Sequence, residues 1–203
     1  KRNMKFIPKI VKWLIGINIA VYVLSLSLLH SYGFNLIEHI ALRTGHKFEW
    51  YQLITHSFTH SLHMGHIISN MTFFLLFAIF VQKRIGPTTC LLLYVYTAII
   101  SGLFWLGQHT SSGLVGASGV LFGFMTVFLF VPVEKWFFKA LKIMVLFAIF
   151  ENILKFNLIP YSYVAYDAHI GGVIAGLIWV AVSYAVNFVK PWEKLKTYLK
   201  ERL

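Results

Sequence analysis

Four polar side chains interrupt the apolar stretches of this sequence: His66, Asn70, Ser118 and His169. Strongly polar or ionisable groups in such stretches are costly to bury and mark function by default. Their types form a working set. A serine hydroxyl becomes a nucleophile when a histidine takes its proton. Donors placed near the attacked carbonyl stabilise the oxygen on which charge develops, and losing one costs about 10²–10³ in rate. His66 and Asn70 are spaced i, i+4, share one helix face, and suit that oxyanion role. Ser118 lies in Gly116-Ala117-Ser118-Gly119. His169 lies in Ala168-His169-Ile170-Gly171-Gly172, and Gly176 completes a Gly-xxx-Gly face. Small residues let helix backbones approach closely. Two helices pressed together there would bring Ser118 within hydrogen-bond reach of His169. Each residue alone also has a plain structural reading. A serine among glycines packs, a histidine near a helix end sits at the interface, and an asparagine in a span joins helices. The set of nucleophile, base and donors argues for reading them together.

The elements that position them are membrane helices. The 203 residues are 58% hydrophobic and 12% charged, against about 25% charged in a soluble domain. Aromatic residues, 17% of the chain, favour membrane interfaces. A spanning helix needs roughly 20 apolar residues, and six such stretches are expected, near 10–29, 65–82, 87–106, 115–132, 139–156 and 168–188. The first has the basic start of a signal peptide. Its apolar run is too long for one and no cleavage site is clear, so it reads as a retained helix. From Ser118 to Val131 the fourth stretch is about 21 Å long, against a hydrocarbon core of about 30 Å. Ser118 is therefore expected below the outer surface, reached by water through a cavity. The fold class is all-α: one polytopic six-helix membrane domain over 1–203.

Charge gives the orientation. The net charge is +11, but the basic residues sit in short runs between spans, which argues against nucleic acid as a partner. Fifteen of the eighteen Lys and Arg fall at the start, in the second-to-third and fourth-to-fifth connections, and in the tail. The positive-inside rule places both termini in the cytoplasm. The second, fourth and sixth spans then begin outside, which puts His66, Asn70, Ser118 and His169 at one outer depth. Residues 30–64 form a long external segment rich in aromatic and aliphatic residues, read as partly helical and lying in the interface. The basic tail 190–203 reads either as a surface helix held by anionic lipid or as a solvated end. No internal repeat is evident, which disfavours an inverted-repeat transporter. The single cysteine, Cys90, excludes an intramolecular disulfide and reads as a packed helix residue.

These motifs resemble those of the rhomboid intramembrane serine proteases. That family has six helices and opens its fourth on Gly-x-Ser-Gly, here Gly116 to Gly119. Its second helix carries His-x-x-x-Asn, here His66 to Asn70 followed by Met71. Its sixth carries Ala-His-x-x-Gly-x-x-x-Gly, here Ala168, His169, Gly172 and Gly176. Glu49 to Thr55 resembles its membrane-lying first loop, and His60 matches a further loop histidine. The resemblance implies a Ser–His dyad without a third acid. Ser118 would attack and form an acyl-enzyme, and His169 would act as base and then acid. His66, Asn70 and the Ser118 N–H would hold the oxyanion. It implies no cofactor or metal, and single-span membrane proteins with helix-destabilising residues near the cut as substrates. Without a large attached domain a minimal member is expected, and without a transit peptide or an extra amino-terminal helix a bacterial plasma membrane is the expected location.

There are departures. Tyr51-Gln52 replaces an aromatic–Arg pair, His60 and His66 stand one residue further apart than usual, and Phe122 replaces a tyrosine that packs on the base. Asp167, two residues before His169, suits a helix-start role better than a triad, and Glu151 is expected to bond across helices. Two rivals remain. His56, His60, His63 and His66 could form a metal centre, although the zincin pattern is missing. A non-proteolytic rhomboid-like protein could instead bind or transport membrane clients.

Overall fold

A computed structural model describes residues 7–108, 113–158 and 164–200, with the side chains of these except 46 and 187–200. The helices are α1 (Lys9–Tyr32), α2 (Ile37–Ile40), α3 (Gln52–Thr55), α4 (Met64–Ile85), α5 (Pro87–Leu106), α6 (Ser118–Leu129), α7 (Trp136–Leu158) and α8 (Tyr166–Lys200). The protein is an all-α, multi-pass membrane bundle. Four segments are long and apolar enough to cross a bilayer by themselves: α1, α4, α5 and the Tyr166–Val186 part of α8. The other two expected spans differ for physical reasons. α6 has only 12 residues, about 18 Å of helix, and every residue from Gly119 to Phe128 is buried. A helix apolar all round belongs inside a bundle. α7 is long enough at 23 residues, but it carries Lys139, Lys142, Glu151 and Lys155.

Sequence signals set several boundaries. Gly33, in the left-handed region, closes α1 with its N–H on Leu28 and Leu29 carbonyls, the usual glycine stop. Pro87 begins α5, where its missing N–H costs nothing. α8 continues without a break to Lys200, where a separate tail was expected. The lipid-facing role considered for the tail side chains lies outside the described residues.

α6 is the centre. Phe124 meets Phe74 at 5.1 Å between ring centroids, and Phe128 meets Phe77 at 5.3 Å and Phe80 at 5.5 Å. Such aromatic pairs contribute about 0.5–1.5 kcal/mol each beyond area burial. On its other side α6 lies against α8, glycine to glycine. A Cβ on Gly172 would collide with the Gly119 carbonyl oxygen, and one on Gly176 would stand 2.8 Å from the Gly123 oxygen. α5 closes the third side: a Cβ on Gly123 would stand 2.5 Å from Thr97 Cγ2.

The segment between α1 and α4 is partly helical. Its organiser is Gln52, which is 2% exposed. Its Oε1 accepts the N–H groups of Arg43 and Glu49, and its Nε2 donates to the His39 carbonyl. This amide satisfies three backbone groups where the family pattern has an arginine. A feature with no sequence signal is a two-residue antiparallel pair, β1 (Leu42–Arg43) with β2 (Gly113–Leu114). It ties this segment to the stretch that leads into Ser118.

Candidate active site

The first turns of α4, α6 and α8 meet at one place. α6 begins on Ser118 because the chain before it turns sharply. Gly116 has φ of 114°, a conformation that side chains with a Cβ rarely adopt. Its N–H donates to the His56 carbonyl at 3.0 Å. A Cβ there would lie 2.7 Å from His66 Nε2 and 3.5 Å from Asn70 Nδ2. Glycine therefore provides both the turn and the space between Ser118 and the α4 side chains.

All four residues singled out in the sequence come together here. Ser118 Oγ stands 2.8 Å from His169 Nε2. Ser118 is half-buried and His169 is 8% exposed. Phe122, one turn after Ser118, stacks flat on the His169 ring at 4.5 Å and 14°, so phenylalanine keeps the ring contact. Tyr166 meets the same ring edge-on at 6.1 Å. From α4, His66 and Asn70 face the Gly116 turn. His66 Nδ1 is 3.0 Å from Ser61 Oγ. Asn70 is 5% exposed, and its Nδ2 has no hydrogen-bond partner. A buried donor left unpaired costs about 1–3 kcal/mol, so Asn70 holds a donor in reserve beside the serine.

The loop histidines do something else. Burial pushes His56 down to about 4, and burial, with His66 nearby, does the same to His60. His56 Nδ1 is 2.8 Å from the Gln52 carbonyl. Neither ring nitrogen of His60 has a partner, and its ring packs edge-on against His66 at 5.1 Å. The two rings meet across the longer spacing between His60 and His66. The four loop histidines do not converge as a ligand set: among the described residues no three His, Cys, Asp or Glu side chains are placed to hold a metal ion.

His169 has a neighbour that no sequence motif marks. His169 Nδ1 is 2.6 Å from Asn152 Oδ1 on α7. Neither nearby acid takes that place. Asp167 instead accepts the Ala168 N–H at 2.8 Å, which suits a carboxylate in the first turn of a helix. Glu151, expected to bond across helices, pairs with Lys155 one turn along its own helix. Asn152 sits next to Glu151 in the sequence and gives no motif, because its partner is seventeen residues away on another helix.

The family model described as the Rhomboid domain matches residues 47–185, which contain the whole of this site. Over 136 residues the chain is 29% identical to "Rhomboid-like protein 11, chloroplastic" of Arabidopsis thaliana, covering 66% of this chain and 46% of that protein. The chain thus spans less than half the length of the curated relative it matches. The match runs over more than half of the chain and takes in the Gly116 turn, the α4 pair and the α8 histidine, and on that ground this membrane protein belongs to the rhomboid family.

Proposed function

We propose that this chain is an intramembrane serine endopeptidase that cleaves single-span membrane proteins. The observation that carries the reading is the 2.8 Å contact between Ser118 Oγ and His169 Nε2. It is made where two helices touch through glycine and an unpaired asparagine donor waits alongside. In this reading the Ser118 hydroxyl proton passes to His169 Nε2 as Oγ attacks the scissile carbonyl carbon. The carbonyl oxygen takes the negative charge. The Ser118 N–H, one of the unbonded amides that open any helix, faces that charge together with Asn70 Nδ2 and His66. With Ser61 donating to Nδ1, His66 presents Nε2–H. The imidazolium then gives its proton to the leaving amine, and the C–N bond breaks. A water, deprotonated by the same histidine, cleaves the acyl ester.

The short α6 supports a site set below the membrane surface, because about 18 Å of helix cannot cross about 30 Å of hydrocarbon. The basic residues at the chain start, after α4, before and within the start of α7, and in the tail favour cytoplasmic termini in a cell membrane, with the site toward the outer face. Reconstituted protein should cleave a single-span substrate, and a fluorophosphonate should label Ser118. Ser118→Ala and His169→Ala should each abolish cleavage while the protein still folds. Cleavage that survives Ser118→Ala would overturn the serine mechanism, and a folded wild type that neither cleaves nor labels would favour a non-proteolytic client binder.

A further inference from the structure

The base has two nitrogens, and only one tautomer serves the proposed reaction. Nε2 must carry the lone pair that faces Ser118, so the proton must sit on Nδ1. Something has to hold it there. Asn152 Oδ1 lies 2.6 Å from Nδ1. The other end of the same amide is fixed as well, because Asn152 Nδ2 donates to the Ala148 carbonyl at 2.8 Å. Turning the amide over would set its oxygen against the Ala148 oxygen and its NH₂ against the ring. The α7 backbone thus determines which amide atom meets the histidine, and that atom is an acceptor. In the wrong tautomer two acceptors would face each other at Nδ1, and Nε2–H would point at the serine oxygen.

We propose that Asn152 is the positioning residue of the Ser118–His169 pair: its carbonyl oxygen, anchored through Ala148, accepts the Nδ1 proton and so keeps the Nε2 lone pair on Ser118. The inference rests on the serine-protease reading and deepens it. Asn152 occupies the place of the acid in a three-residue arrangement but brings no charge. It orients the ring and stabilises the imidazolium through a dipole, more weakly than a carboxylate would. Phe122 face-on and Tyr166 edge-on restrict rotation of the imidazole about its Cβ–Cγ bond, and the Asn152 bond determines which protonation state that fixed ring presents to Ser118. The ionisable groups nearest the ring are His66 from α4, Tyr166 and Asp167 from its own first turn, and the Glu151–Lys155 pair on α7, whose ammonium lies over the Tyr166 ring. α6 brings none.

The test is steady-state cleavage by reconstituted protein across pH for wild type, Asn152→Ala, Asn152→Asp and Ser118→Ala. A positioning bond forfeits part of the roughly 10²–10⁴ that acid–base catalysis supplies. Asn152→Ala should lower kcat about 10- to 100-fold with KM within about twofold of wild type. Asn152→Asp, nearly the same shape, should recover most of kcat and move the acid limb of the pH profile upward, because a carboxylate favours the imidazolium. A residue that merely joins helices would change thermal stability and leave the pH limb in place. An unmoved limb in Asn152→Asp, or a wild-type kcat in Asn152→Ala, with Ser118→Ala inactive, overturns this inference alone. Full activity in Ser118→Ala overturns it together with the protease reading.

Discussion

His169 stands between two seams of unlike construction. On one side α8 meets α6 through Gly119, Gly123, Gly172 and Gly176, backbone on backbone. On the other side α8 meets α7, whose buried residues are Leu141 and Val145. α7 adds polar contacts toward its two ends to the packing of Phe138 on Phe80 and of Leu141, Val145, Ala148 and Ile149 on the core. Lys142 Nζ donates to the Leu129 and Val131 carbonyls, both at 2.6 Å, and so caps the end of α6. At the far end Asn152 bonds His169, and Lys155 lies over Tyr166. Between these, Met144, Phe147 and Phe150 are exposed. In lipid such exposure costs little, because the tails are as apolar as the side chains. Ser118 and His169, the proposed nucleophile and base, thus come from the seam of backbone contacts, and Asn152, the proposed positioning residue, comes from the other.

Widening the rigid seam should have the largest effect. Gly172→Leu would drive a side chain into the Gly119 carbonyl with no flexible neighbour to yield. Overpacking typically costs about 1–3 kcal/mol and more where backbone must shift. An error of about 1 Å between reacting groups can cost about 10² in rate. Gly172→Leu should therefore lose at least about 3 kcal/mol in a thermal unfolding series in detergent, and at least about 10²-fold in cleavage. Gly16→Leu on α1, where nothing lies within 4 Å, should leave both unchanged. Equal behaviour of the two variants would show that the α6–α8 contact is not what positions Ser118.

That seam was legible in the sequence, and the other was not. Glycines four apart on two apolar stretches announce a close contact, and a serine or histidine placed among them announces what the contact serves. His66 and Asn70 were legible because one helix carries both. Asn152 was not, because its role depends on how α7 leans on α8, and no local spacing encodes that. The two-residue sheet pairing Leu42 with Leu114 is hidden for the same reason. It is too short for a periodic pattern and joins distant loops. The six apolar stretches fall on α1 and α4 to α8, but an apolar stretch does not say whether lipid or protein covers it, and α6 is covered by protein.

Acid should act on the segment that precedes α4 and backs the bundle. His56 packs on α5, where a Cβ on Gly102 would stand 3.2 Å from its Cε1, and His60 packs on His66 of α4. Both are pushed down to about 4 from 6.5, so the fold keeps them neutral. Their contribution is complete above about pH 6.5 and is lost as the pH falls toward 4, because the unfolded chain takes up the protons first. Each costs up to roughly 1.4 kcal/mol per pH unit in that window. Between pH 7 and 5.5 the thermal midpoint of wild type should fall. His60→Leu, which removes two unpartnered ring nitrogens, should flatten the slope. A midpoint independent of pH in wild type would refute the assignment.

Loosening the polar seam should cost less. Lys142→Met removes two hydrogen bonds to the end of α6 and keeps most of the stem. Hydrogen bonds between membrane helices are worth about 0.6 kcal/mol on average, with a maximum near 1.7. A loss of about 1–2 kcal/mol in the same unfolding series is expected, with Ser118 still labelled by a fluorophosphonate. A loss as large as that of Gly172→Leu would mean that α7 is bound as firmly as α8.

The smallest effect belongs to the middle of α7. Phe147 is 69% exposed and lies two residues beyond buried Val145. Truncating a side chain inside a core costs about 3–5 kcal/mol for phenylalanine, whereas surface changes stay within about 0.5 kcal/mol. If α7 is held by its ends and by Leu141 and Val145, Phe147→Ala should fall in the second class. The informative contrast is Phe124→Ala on α6, fully buried, which should fall in the first. Phe147→Ala approaching the cost of Phe124→Ala would show that the middle of α7 is packed in the folded protein, and the difference between the two seams would then be one of chemistry and no longer one of strength.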